Sequence, residues 1–138
     1  MKILFLITDL GRSGAERLLI DICTELKKRE DIQFKIGVLY DNNQYPELTV
    51  GFDIVNLGYE TFSLFKTNQC TKYQELLNSF QPDIIHTHRF LAEFLSSYYI
   101  NPNVKYVCHG HDNMEQLRNF CIGTLFNKRK LLDFAEKR

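Results

Sequence analysis

Two groups of residues in this 138-residue sequence have the types and spacing that chemistry requires. The first is Asp9-Leu10-Gly11-Arg12-Ser13-Gly14, where an unbroken apolar run gives way to a helical pattern. A helix opening at such a turn presents unpaired N–H groups and the positive end of its dipole beside small residues, which suits a phosphate. Arg12 adds a positive charge over the same space. The plainer reading is a tight turn. The second group is the histidines, all four of which fall in two H-x-H pairs, His86/His88 and His109/His111. Alternate residues of a strand face the same way, so each pair can point together. Four imidazoles with Asp112 suit zinc or another transition metal. The same imidazoles suit hydrogen bonding around an anionic or sugar ligand, and solvent-facing histidines without function are a third reading.

The glycine turn is neither of the two common phosphate motifs. No G-K-[ST] follows it, and its spacing is Gly11-x-x-Gly14 rather than G-x-G-x-x-G. Asp41 imitates the ribose-binding acid of a dinucleotide fold but comes later than that motif places it. A nicotinamide enzyme is therefore not favoured.

The elements that must position these groups follow from periodicity. Lys2–Thr8 reads as a strand covered on both faces, because Ile3 to Ile7 are all apolar. In the helix after the turn, Ala15, Leu18, Leu19, Ile22, Cys23 and Leu26 form one stripe, with Glu16, Arg17, Asp21 and Glu25 opposite. Ser13 and Glu16 make an S-x-x-E capping box. Strands follow at Gln33–Tyr40 and Phe52–Leu57, the second stopped by Gly58. Residues 59–69 read as loop with one helical turn. Thr71 caps a helix carrying Tyr73, Leu76, Leu77 and Phe80, and Pro82 stops it. Asp83–His88 is a strand, with Asp83 a structural residue at its start. Arg89–Tyr99 is a helix in which Phe90, Leu91, Phe94, Leu95 and Tyr98 face inward. Val104–Cys108 is the next strand, and Met114–Ala135 a last helix. The spacing of Phe90, Phe94, Tyr98 and Tyr99 favours core packing over a stacking platform.

Alternation of this kind implies an α/β fold, a doubly wound parallel sheet of about five strands in the order 3-2-1-4-5, with helices on both faces. The fourth strand then lies beside the first, and a ligand crevice opens at their carboxyl ends. Gly11–Gly14, His86–Arg89 and His109–Asp112 meet there.

Composition bounds the alternatives. The length fits one domain over residues 1–138, and 44% hydrophobic against 25% charged residues allows a core. A formal net charge of zero argues against a general nucleic-acid binder. The apolar runs are far short of a membrane span, no signal-peptide pattern opens the chain, and a cytoplasmic location is expected. No two of the four cysteines stand in C-x-x-C spacing, and Cys23 and Cys108 read as small core residues. Lys128-Arg129-Lys130 beside Leu131, Leu132 and Phe134 suits a solvated helix face, with peripheral contact to anionic lipid as the alternative.

The opening MKILFLITDLGRSGAERLLIDICTEL resembles the start of the retaining, family 4 glycosyltransferases of GT-B fold. Ser13-Gly14-Ala15-Glu16 corresponds to that family's Gly-rich G-G-A-E loop, with Ser at its first position. Pro82-Asp83-Ile84-Ile85-His86-Thr87-His88 is similar to its P-D-I-I-H-x-H segment, and Val107-Cys108-His109-Gly110 to its T-V-H-G segment. The resemblance covers residues 1–111 and implies the Rossmann-like N-terminal, acceptor-side domain of an enzyme of cell-surface polysaccharide biosynthesis. It implies a nucleotide-sugar donor, a glycan or lipid-linked acceptor, retention of configuration, and no metal or other cofactor. By this resemblance the donor diphosphate lies against Gly14 and the helix it opens, with Gly11, Arg12 and Ser13 of the same turn as the remaining donor-side candidates; His109 is the catalytic residue near the transferring sugar, and His86, His88, Arg89 and His111 line the acceptor side.

The family works with two such domains, and the second carries an E-x7-E pattern absent from this sequence. The chain alone is expected to transfer little or no sugar. A sixth strand is also expected after the last helix, and its lack would leave an open sheet edge that favours self-association. A nucleotide- or phosphate-binding module without catalysis, and a metal-dependent hydrolase using the H-x-H pairs, are the competing functions.

Overall fold

The computed structural model describes residues 1–59 and 70–110. The expected loop at 59–69, apart from Tyr59, lies outside these residues. So do the helix at Met114–Ala135, His111, Asp112 and the Lys128–Lys130 cluster.

Among the described residues, five strands and three helices follow in the order β1 (Lys2–Ile7), α1 (Gly14–Leu26), β2 (Gln33–Val38), β3 (Ile54–Asn56), α2 (Thr71–Phe80), β4 (Ile84–His88), α3 (Phe90–Ser97) and β5 (Lys105–His109). The strands form one sheet in the order β3-β2-β1-β4-β5, and every neighbouring pair is parallel. This is the doubly wound, Rossmann-like arrangement that the alternation implies.

The apolar run of β1 makes it the central strand, since only a strand covered on both faces gains from burying every side chain. Ile3, Phe5 and Ile7 pack with Leu19 and Cys23 of α1 on one face. Leu4 and Leu6 pack with Tyr73, Leu76 and Phe80 of α2 and with Ala92 and Leu95 of α3 on the other. The sheet is thus sandwiched, with α1 alone on one side and α2 and α3 on the other among the described elements. Asp83 does the structural work expected of it. Its carboxylate accepts the Lys2 N–H at 2.6 Å, and its own N–H donates to the Lys2 carbonyl at 2.9 Å, which fixes the β1–β4 register. No helix among the described residues is long and apolar enough to cross a membrane.

Several local expectations are corrected. The helix after Pro82–His88 is shorter than Arg89–Tyr99, because Arg89 is its N-cap with φ 73° and Tyr98 its C-cap. Cys70 rather than Thr71 is the N-cap of α2, and it makes no side-chain cap bond. Cys108 is exposed rather than a core residue, because β5 is an edge strand of the described sheet. In α1 the buried set is Ala15, Glu16, Leu19, Ile20 and Cys23, while Leu18 is 39% exposed. The helix is therefore rolled toward Glu16 and Ile20 relative to the expected stripe, and a carboxylate assigned to the polar face is fully buried.

Candidate functional site

Parallel strands deliver all their carboxyl ends to one rim. The pairing Ile7↔His88 and His88↔His109 sets the ends of β1, β4 and β5 side by side. The strand order reverses between β1 and β4, so this rim has the crevice where ligands bind in open α/β sheets.

The glycine turn leaves β1 here. Asp9 Oδ1 accepts the Gly11 N–H at 2.8 Å, folding the turn back on itself. A Cβ at Gly11 would stand 3.0 Å from that same oxygen, so any larger residue would press on the turn's own carboxylate. Gly14 is different. It is exposed, its φ is not in the left-handed region, and a Cβ built on it would meet nothing within 4 Å. Nothing in the turn's own packing demands glycine there, and its place at the first residue of α1 leaves the helix mouth open.

Ser13 is the N-cap of α1, with extended backbone, but it makes no side-chain bond to the helix backbone. Its hydroxyl pairs instead with Glu16 Oε2. The capping box expected from S-x-x-E is therefore replaced by a side-chain pair. The first intrahelical acceptor is the Ser13 carbonyl, which takes the Arg17 N–H. The N–H groups of Gly14, Ala15 and Glu16 precede that bond, as the first donors of any helix do. Arg12 is exposed beside them.

The second oxygen of Glu16 accepts from Arg89 Nη1 at 2.8 Å. Glu16 has a relative side-chain exposure of 0% and Arg89 of 46%. The pair joins the start of α1 to the start of α3, across the gap between β1 and β4. Arg89 holds φ 73° and ψ 153°, a region that only glycine visits at ease. Strained backbone and a buried charge pair thus meet at one point of the rim. Arg89 Nη1 is engaged with Glu16, and the guanidinium keeps 46% exposure at the rim.

The histidines share the α1 face of the sheet with Phe5. The Phe5 ring lies 5.4 Å from the His86 ring and 6.2 Å from that of His88. His86 and His88 are 4.4 Å apart by ring centroids, His88 and His109 are 5.3 Å apart, and His86 stacks parallel to His109 at 6.0 Å. One ring nitrogen from each of the three lies within 4.8 Å of those of the other two. His88 is fully buried, while His86 and His109 are half-buried. His88 thus stands behind its neighbours rather than on the surface.

Cys108 lies on the opposite face of β5, against the face carrying Thr87. Desolvation raises its thiol pKa, Glu93 adds to the rise, and the Thr87 hydroxyl opposes it. Asp41, the imitation of a ribose-binding acid, is exposed in the loop after β2.

The sequence brought Gly11–Gly14, His86, His88, Arg89 and His109 to this rim, and all of them are found there. It missed Glu16. The signal was present in Ile20, four residues on and outside the expected stripe, and in the opposite charge of Arg89. A separate cavity of about 640 Å³ opens at the other rim, between the end of α2 and the turn before β5. Among the described residues, no carboxylate, histidine, cysteine or cation lines it. In comparisons with known proteins the chain matches no family model and no curated protein.

Proposed function

We propose that the chain is the acceptor-side, N-terminal domain of a retaining glycosyltransferase that uses a nucleotide-sugar donor. The observation that carries the reading is the opening at Gly14, a glycine that the fold around it does not need, at a helix mouth sharing a rim with His109. A side chain there would cover the helix N–H groups, so the glycine is explained by a ligand that approaches the backbone closely.

The chemistry is consistent with these groups. Sugar transfer builds negative charge on the departing diphosphate. Preorganised N–H donors and a helix dipole stabilise such charge as it develops, and Arg12 adds to them. His109 hydrogen-bonds a hydroxyl of the transferring sugar, and the half-buried His86 lies beside it toward the acceptor. The Glu16–Arg89 pair ties the helix mouth to the β4–α3 turn and so holds Arg89 on the acceptor side.

The test is amide NMR of the 138-residue chain titrated with inorganic pyrophosphate and then with a nucleotide-sugar such as a uridine diphosphohexose. The expected perturbations fall on Gly11–Glu16 with both ligands, and on His109 with the sugar-bearing one. Gly14→Val should remove them while leaving the melting temperature in place. Perturbation of the glycine turn by both ligands with His109 unmoved would instead identify a phosphate-binding module. No change at the turn would overturn the reading altogether.

A further inference from the structure

The three clustered imidazoles support a second kind of binding at the same rim. We propose that His86, His88 and His109 chelate one divalent transition-metal ion, with zinc, copper or nickel as the matching class. The inference rests on strand register and ring geometry and does not draw on the sugar-transfer reading; an ion held there would compete with the hydroxyl contact proposed for His109.

Two residues apart on β4, His86 and His88 point to the same face, and the parallel ladder sets His109 directly beside His88. The three donor nitrogens fall within 4.8 Å of one another. Zinc–nitrogen bonds of about 2.0–2.1 Å in a tetrahedral site hold ligand nitrogens roughly 3.3 Å apart. Metal binding would draw the three nitrogens closer, with the half-buried His86 and His109 rings turning toward His88. His88 is buried among Phe5 and its two partners, so one ligand is already fixed by packing. Three imidazoles suit borderline metals and are poor ligands for magnesium or calcium, which prefer oxygen. A three-histidine set also leaves a fourth position for water or another exogenous ligand. The half-buried His86 and His109 put that position toward the rim.

The test uses untagged chain, stripped with a chelator and titrated with Co²⁺ as a visible probe, then with Zn²⁺ in competition. The expected result is one equivalent of Co²⁺, with the absorption intensity of a four-coordinate site, displaced by Zn²⁺. His86→Ala and His109→Ala should each weaken binding by about tenfold or more, the scale on which even outer-shell partners of a metal matter. Both positions are half-buried, and far-UV circular dichroism with a thermal melt verifies the fold of each variant. His88 is left intact because of its burial. Absence of saturable binding would overturn the proposal. So would unchanged affinity in either variant, or a sulfur-to-cobalt charge-transfer band, which would assign the ion to a cysteine.

Discussion

Arg89 Nη1 stands 2.8 Å from Glu16 Oε1, and this single contact joins residues 73 apart in sequence at the centre of the candidate site. The carboxylate is wholly buried, and its other oxygen is taken by Ser13. An ion pair with one buried and one half-exposed partner contributes little net stability compared with an apolar replacement. Removing one partner alone is costly, because it strands the other.

Arg89→Ala should therefore destabilise the fold by about 2–4 kcal/mol, the half-exposure of the guanidinium keeping the loss toward the lower end. Arg89→Gly loses the same ion pair but relieves a backbone strain of roughly 1–3 kcal/mol, and should be the milder change. Glu16→Gln in the Arg89→Ala background should recover part of the loss. Urea unfolding of the three variants measures the series. Equal midpoints for the alanine and glycine variants would show that the φ of 73° carries no strain.

Tyr73 gives a prediction of opposite sign. Its side chain is 0% exposed, and its hydroxyl has no hydrogen-bond partner among the described residues. An unsatisfied buried hydroxyl costs about 1–3 kcal/mol. Its ring packs edge-on against Tyr99 at 5.1 Å, and phenylalanine keeps that contact. Tyr73→Phe should raise the unfolding free energy by about 1 kcal/mol, and a loss of stability would contradict the reading.

Alkaline pH should unfold the domain early. Burial raises the Cys23 thiol from 9.0 to about 12. Burial, with smaller contributions from neighbouring tyrosines and Cys70, raises Tyr59 from 10.0 to about 12. Tyr73 is pushed up as well, chiefly by burial. Each group is neutral when protonated, so the fold favours the protonated form, and the unfolded chain releases its protons first. The stability these groups confer is complete below pH 9.0 and is lost as pH rises toward 12. Urea midpoints measured across that window should fall steadily, and Cys23→Ala should flatten the earliest part of the decline. A midpoint unchanged through the window would refute the assignment.

Most of the fold was legible because β1 announces itself. Five consecutive apolar residues suit a doubly covered strand, and alternation together with the usual doubly wound strand order supplies the rest. The rim was legible for the same reason, since parallel strands send their carboxyl ends to one side. The orientation of α1 was not. A stripe count weighs residues by hydropathy and puts Leu18 inside and Glu16 outside. The observed helix does the reverse at both positions, because Glu16 finds its cation on a turn far along the chain. The exposure of Cys108 was hidden by a similar gap: a strand's pattern does not tell whether a neighbour lies beyond it.

The hydrogen bonds between Lys2 and Asp83 span 81 residues. Closing a loop of that length costs about 4 kcal/mol of chain entropy beyond a constant, before any contact made there repays it. The first strand can zip to β2 after a short excursion, but its other neighbour must wait for most of the chain. The imidazole trio belongs wholly to that late half, two rings on β4 and one on β5. The contiguous segment β1–α1–β2 thus carries the glycine turn and none of the described histidines, so the two parts of the rim differ sharply in the chain length that must close to form them.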